Sequence, residues 1–260
     1  MEKLFPQMRD CPEGKQIALG GAYWVVYQIM LPFMMLFVLA MICSDSMFGD
    51  PPTVVGYVVF YLINLVCVGL IFRPYLEDSF WTLRTDMKKV LVSIGMGLAA
   101  LVVFEIPLVL LDLLQKKWLV YFSLPIADPV FYLKSSLWFR VQPLVVGFCT
   151  TVLAPVTMCC LYYGVGFAAP AQERPWLGYL IVALLAAVPV VLMYTSGAFE
   201  LEDAFVHYLS RLPFHLCACW VYQRSDTIWG PIIFQALANL LSLPIAWVLA
   251  HVTYVYHGPF

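Results

Sequence analysis

Seven long apolar stretches separated by short polar ones run along this chain, at 17–43, 54–72, 90–114, 144–169, 176–195, 204–222 and 228–255. Each approaches or exceeds the roughly 20 mostly apolar residues that a helix needs to cross the hydrocarbon of a bilayer. The pattern predicts an all-α fold, a polytopic membrane helix bundle of about seven transmembrane helices. The whole chain, 1–260, reads as one membrane domain with no internal repeat. Between the third and fourth stretches, 115–143 is rich in aromatics and Pro. Trp118, Tyr121, Phe122, Phe131, Tyr132, Trp138 and Phe139 suit the headgroup region, so this segment reads as a loop with an interfacial helix.

Composition points the same way. Hydrophobic residues make up 63% of the chain and charged residues 12%, against about 25% charged in average soluble domains. Mean hydropathy is +0.87. So little charge cannot cover a water-facing surface of this size, and the bilayer is the expected solvent. The formal net charge is −2, with no polybasic run, so nucleic-acid binding has no electrostatic footprint. Cys11, Cys43, Cys67, Cys149, Cys159, Cys160, Cys217 and Cys219 fall mostly in apolar stretches, where cysteine acts as a small hydrophobe. No CxxC pair is present, so no zinc ribbon or disulfide framework is expected, and neither metal nor cofactor.

The first 16 residues mix Lys3, Arg9 and Lys15 with Glu2, Asp10 and Glu13. The apolar run after them exceeds the 7–15 residues or so of a signal h-region, so it reads as an uncleaved first span. With the N-terminus cytoplasmic, Lys3, Arg9, Lys15, Arg73, Arg84, Lys88, Lys89, Arg174 and Arg224 fall inside, and Lys116, Lys117, Lys134 and Arg140 outside. That bias follows the positive-inside rule. Pro32, Pro107, Pro155, Pro189, Pro213 and Pro244 interrupt the expected spans. They predict either kinked helices around an internal pocket or ordinary bundle packing, since neighbouring helices can re-satisfy the freed backbone groups.

Two strings carry candidate chemistry. One is Ala154-Pro155-Val156-Thr157-Met158-Cys159-Cys160-Leu161-Tyr162-Tyr163-Gly164. The other is Tyr222-Gln223-Arg224-Ser225-Asp226-Thr227-Ile228-Trp229-Gly230-Pro231, continuing to Gln235 and Asn239. Together they resemble the CAAX-protease and bacteriocin-processing (CPBP, or Abi) family of intramembrane peptidases, over a core of about 144–243. The resemblance implies a CPBP-like bundle. It also implies that the family's tandem glutamates would fall at Met158 and Cys159, its Arg at Tyr163, and its His and Asn at Gln235 and Asn239. The second motif, Phe-x-x-x-His, is best placed with Pro189 at the Phe and Met193 at the His.

At those positions the residues have lost the family's acid–base chemistry. Neither Met nor Tyr is a general base at neutral pH, and a Gln can orient water or stabilise an oxyanion but cannot take up a proton. A buried Cys with no cation beside it is a poor nucleophile. Met158, Cys159, Tyr163, Met193, Gln235 and Asn239 are therefore expected to line a cavity without catalysing. Each also has a plain packing reading: Met158 and Cys159 as bundle filler, Tyr162 and Tyr163 as core aromatics, Gln235 and Asn239 as interhelical hydrogen-bond glue.

Other polar residues inside the stretches are Glu105, Asp112, His207, Arg211 and His215. Ionisable groups at membrane depth are costly and mark functional candidates. His207, Arg211 and His215 share one helical face at i, i+4, i+8. That face either pairs with Glu105 or with Glu200, Glu202 and Asp203, or snorkels to the interface. A divergent peptidase would rebuild its site from Glu105, His207, His215, Gln235 and Asn239, or as a Cys159–His215 or Cys159–His207 dyad.

Three expectations follow. The first is a degenerate CPBP-like pseudoprotease that binds a peptide or membrane-protein partner. The resemblance implies prenylated C-termini, peptide precursors and bacteriocin immunity as the partner classes. The second is an active divergent intramembrane endopeptidase, and the third a structural or transporter-like subunit. The expected setting is a bacterial plasma membrane.

Overall fold

The computed structural model describes residues 10–30, 51–115, 143–195 and 201–241, which form seven helices with no strand among them. Helix α1 runs through Gly14–Val25 and widens into a π-helical turn at Val26–Met30. Helices α2 (Pro51–Thr85) and α3 (Met87–Gln115) are separated by Asp86 alone. Helix α4 spans 143–173, α5 is Pro175–Thr195, α6 is Leu201–Ser225 and α7 is Trp229–Leu241. The expected aromatic segment 115–143 lies outside the described residues, apart from its end residues.

Four stretches are long and apolar enough to cross a membrane: Val58–Thr85, Met87–Phe104, Cys149–Glu173 and Pro175–Leu192. This is the mark of an integral membrane protein. Seven spans were expected, and the described helices support four. Residues 31–43 and 242–255 of the expected first and last spans lie outside the described residues. Helix α6 is long, but Glu202, Asp203, His207, Arg211, His215 and Arg224 interrupt its apolar character.

The second stretch corrects an expectation. The expected span ends at Phe72, with Arg73 and Arg84 assigned to the cytoplasm. The helix continues through Pro74 to Thr85. The reason is amphipathicity: Val68, Phe72, Tyr75 and Ser79, three or four residues apart, form a buried stripe. Arg73, Glu77 and Trp81 lie on the exposed side. A count of apolar residues misses a helix that is apolar on one face only.

Helix α4 is the centre of the bundle. In its most apolar window 78% of residues are buried, against 33%, 22% and 28% in α2, α3 and α5. It packs on α5 and α1, while α6 packs on α3 and α5. Outward-facing residues of α2, α3 and α5 are large and apolar, including Leu70, Val103 and Leu184, as a lipid-facing surface requires.

Helix α4 is regular only in pieces. Alpha-helical turns at Pro143–Phe148, Ala154–Met158 and Ala169–Glu173 alternate with π-helical turns at Cys149–Leu153 and Cys159–Ala168. Each π segment ends two residues before a proline, Pro155 or Pro170. A proline ring clashes with the carbonyl four residues back, here Thr151 or Gly166, and both lie in the widened turns. The Ala154 N–H correspondingly reaches back five residues to the Cys149 carbonyl. Wide turns of this kind are rare and concentrate at functional sites.

Candidate functional site

The string on α4 and the string on α7 meet in the core. The Cys159 thiol donates a hydrogen bond to Gln235 Oε1 at 3.2 Å. One turn further along α7, Asn239 Nδ2 donates to the Thr150 carbonyl on α4 at 2.9 Å. Gln235 and Asn239 are four residues apart and face the same neighbour, as the helical period demands. Phe234 stacks on Phe214 of α6, with ring centroids 5.5 Å apart, and so seats α7 against the rest of the bundle.

Helix α6 closes the other side. His215 Nδ1 and the Tyr163 hydroxyl are 3.0 Å apart, and the His215 ring stacks on Tyr162 at 5.4 Å. Two consecutive tyrosines thus hold one imidazole, by its face and by its nitrogen. From α1, Tyr27 donates to Met158 Sδ at 3.2 Å, and Gln28 Nε2 donates to the Tyr162 hydroxyl at 2.8 Å. Met158, Cys159, Tyr163, His215, Gln235 and Asn239 are all buried.

Three polar atoms here, Gln235 Nε2, Thr157 Oγ1 and Gln28 Oε1, are buried without a hydrogen bond among the described residues. With its oxygen engaged by Cys159, the Gln235 amide turns its NH2 away from that contact. A buried donor left unsatisfied costs roughly 1–3 kcal/mol, so an acceptor at this point would relieve a real penalty.

Chemically the cluster is poor in acids and bases. Cys159 bonds to Gln235 and His215 to Tyr163, so the described hydrogen bonds form no Cys159–His215 dyad. No group of three His, Cys, Asp or Glu among the described residues is placed to hold a metal ion. Glu105, Met193 and His207 lie on α3, α5 and α6, and their side chains are outside the described residues. Arg211 and His215 share a buried face of α6.

The loop between α6 and α7 belongs to a second polar centre, which no pattern in the sequence marks. Asp10, just before α1, accepts hydrogen bonds from Tyr75 (3.1 Å), Ser79 (2.9 Å) and the Ile228 N–H (2.9 Å). Its own N–H donates to Asp226 Oδ1 at 3.2 Å, and its carbonyl accepts from the Tyr222 hydroxyl at 3.1 Å. The Tyr75 and Tyr222 hydroxyls touch each other. Thr227 donates to the Ser79 carbonyl at 2.9 Å. The turn itself needs Asp226 in the left-handed region at φ 56°, which Asp tolerates better than most residues. A Cβ on Gly230 would overlap the Ser225 hydroxyl.

Asp10 therefore braces the start of α7 from more than 200 residues away, its carboxylate on the N–H of Ile228, the residue just before the helix. Burial pushes its carboxyl up from 3.8 to about 6, opposed by the hydrogen bonds from Ser79, Tyr75 and Ile228 and reinforced by the charge of Asp226. Burial likewise pushes the neighbouring Cys11 thiol up to about 11. The Asp-Thr-Ile-Trp string could be seen in the sequence, but its partner could not. Asp10 sits among mixed charges with no pattern around it.

No protein-family model, curated protein or solved structure matches this chain.

Proposed function

We propose that this protein is a membrane-embedded pseudoprotease on a CPBP-like scaffold, which holds a peptide or membrane-protein partner at the junction of α4 and α7 without cutting it. The observation that carries the reading is the Cys159–Gln235 contact. It joins the two strings on which the resemblance rests, at positions where active relatives would place a glutamate and a histidine. The support is twofold. The two frames converge although they are 76 residues apart. At their meeting point stand a thiol and an amide, neither of which can activate water at neutral pH.

The partner contact in this reading is a carbonyl oxygen accepting from Gln235 Nε2, the buried donor with no partner among the described residues. A peptide backbone offers such oxygens in series. The N-terminus is cytoplasmic and the membrane a bacterial plasma membrane, on the distribution of Lys and Arg and the shortness of the expected outer loops at 44–53 and 196–203.

A second reading, a divergent peptidase, is favoured by one observation: His215 reaches the Tyr163 hydroxyl beside Cys159. Purified protein in liposomes, offered a peptide library, separates the two. The pseudoprotease gives no turnover in wild type, and none in His215→Ala or Gln235→Ala. Cleavage that disappears in either variant establishes the peptidase instead.

A further inference from the structure

The exposed face of α2 has an order of chemistry that nothing in the buried core requires. Leu62, Val66, Leu70, Arg73, Glu77 and Trp81 follow one another at spacings of three and four, and all are exposed. They form one stripe along the helix. Its first half is apolar, its middle carries a cation and then an anion, and its end is aromatic.

At that end a groove of about 430 Å³ is lined by Leu76, Glu77, Phe80, Trp81 and Trp229. Phe80 meets Trp229 edge to face, with centroids 5.8 Å apart. The Trp229 indole N–H donates to the Leu76 carbonyl at 3.1 Å, which fixes the ring. Three aromatic residues and one carboxylate are the residue types that hold quaternary ammonium groups, through ring quadrupoles and an opposite charge. Trp81 already takes a cation: the Arg84 guanidinium lies 5.6 Å from its centroid.

The middle of the stripe matches the next part of a lipid. Arg73 Nε donates to Glu77 Oε1 at 2.8 Å, and both side chains are mostly exposed, 74% and 61%. An exposed pair of this kind contributes little to stability, so a zwitterion can exchange with it, its phosphate on Arg73 and its ammonium beside Glu77. The depth also fits. About 20 helical residues cross the hydrocarbon. Counted from 54, where the apolar stretch begins in the sequence, that places Arg73 at the headgroup boundary and Trp81 beyond it. A phospholipid has the same order of parts, with acyl chain deepest, then phosphate, then ammonium outermost.

We propose that the outer stripe of α2 binds a single zwitterionic membrane lipid with a quaternary ammonium headgroup. The ammonium lies in the corner of Phe80, Trp81 and Trp229 beside Glu77, the phosphate on Arg73, and an acyl chain along Leu70, Val66 and Leu62. The site is independent of the α4–α7 junction, so it stands whether or not that junction binds a peptide.

The test is native mass spectrometry of the full chain in an uncharged maltoside detergent. Dioleoyl phosphatidylcholine, phosphatidylethanolamine and phosphatidylglycerol are offered in equal amounts. The expected result is retention of phosphatidylcholine by roughly two- to fivefold over phosphatidylethanolamine, the scale of a cation–π contact at an exposed site. Trp81→Ala and Glu77→Gln each remove the preference, while Trp176→Ala, an exposed Trp on α5, keeps it. Phe80→Leu, which preserves bulk without a ring face, also weakens it. Equal retention of the choline and ethanolamine lipids overturns the proposal, as does an unchanged preference in Trp81→Ala. Free phosphocholine displacing the lipid at equal concentration overturns the lipid as occupant in favour of a soluble ligand.

Discussion

Gln235 pairs one half of its amide and leaves the other buried without a partner among the described residues. Folding alone does not favour such a residue, because an apolar side chain of the same shape would avoid the penalty. Gln235→Met is therefore expected to leave the unfolding midpoint in detergent unchanged or raise it, while weakening peptide binding. A loss above about 2 kcal/mol in Gln235→Met would instead make the amide a structural tie. Tyr163→Phe behaves oppositely. It removes the hydroxyl that meets His215 Nδ1 and is expected to cost about 1 kcal/mol, since it leaves a buried imidazole nitrogen unpaired. Thermal melts followed by circular dichroism check both. None of these partners could be read from the string of residues. The i, i+4 relation of Gln235 and Asn239 was legible, but nothing in the sequence shows that Cys159 and Thr150 lie opposite.

At the scale of elements, Asp10 ties α1, α2 and α7 together, and its ionisation gives the tie a pH dependence. Its carboxyl lies at about 6 in the fold against an ordinary 3.8, so the folded state binds the proton more tightly than the unfolded chain. Its contribution to stability is fully present below pH 3.8, falls as pH rises through about 6, and is flat above that. The shift corresponds to at most roughly 3 kcal/mol. Asp10→Asn is expected to remove this component, so the difference between wild-type and variant melting points varies between pH 4 and 7 and is constant at higher pH. A difference that does not vary across that window contradicts the buried carboxyl. Helix positions were legible where apolar residues surround the helix, as in α4 and α5. They were illegible where only one face is buried, as in the last turns of α2, whereas α6, expected at 204–222, runs through Leu201–Ser225. The π-helical turns of α4 follow from Pro155 and Pro170. Pro155 was read as marking either a kink or ordinary bundle packing, whereas the helix widens ahead of it, and Pro170 lay just beyond the expected span.

At the scale of the whole molecule, four described helices can cross a bilayer and the most buried of them, α4, carries the candidate site. The chain is expected to stay in the membrane fraction after extraction with alkaline carbonate, and release into the supernatant contradicts the assignment. The legible part of the account is the membrane class, set by composition, and the two strings, set by resemblance. The convergence of those strings is a property of packing. It depends on Phe234 against Phe214, on the Asp10 clamp at the start of α7, and on the widened turns that present Cys159 and Tyr163 to different neighbours.

The measurement closest to the central claim is photo-crosslinking of a diazirine-labelled peptide library to the protein in liposomes, with the adducts mapped by mass spectrometry. The account expects uncleaved peptides attached within 153–164 of α4 and 229–241 of α7, and far fewer adducts in Gln235→Met. Adducts that spare both segments, or peptides recovered as cleaved fragments, contradict a binding site that has lost its chemistry.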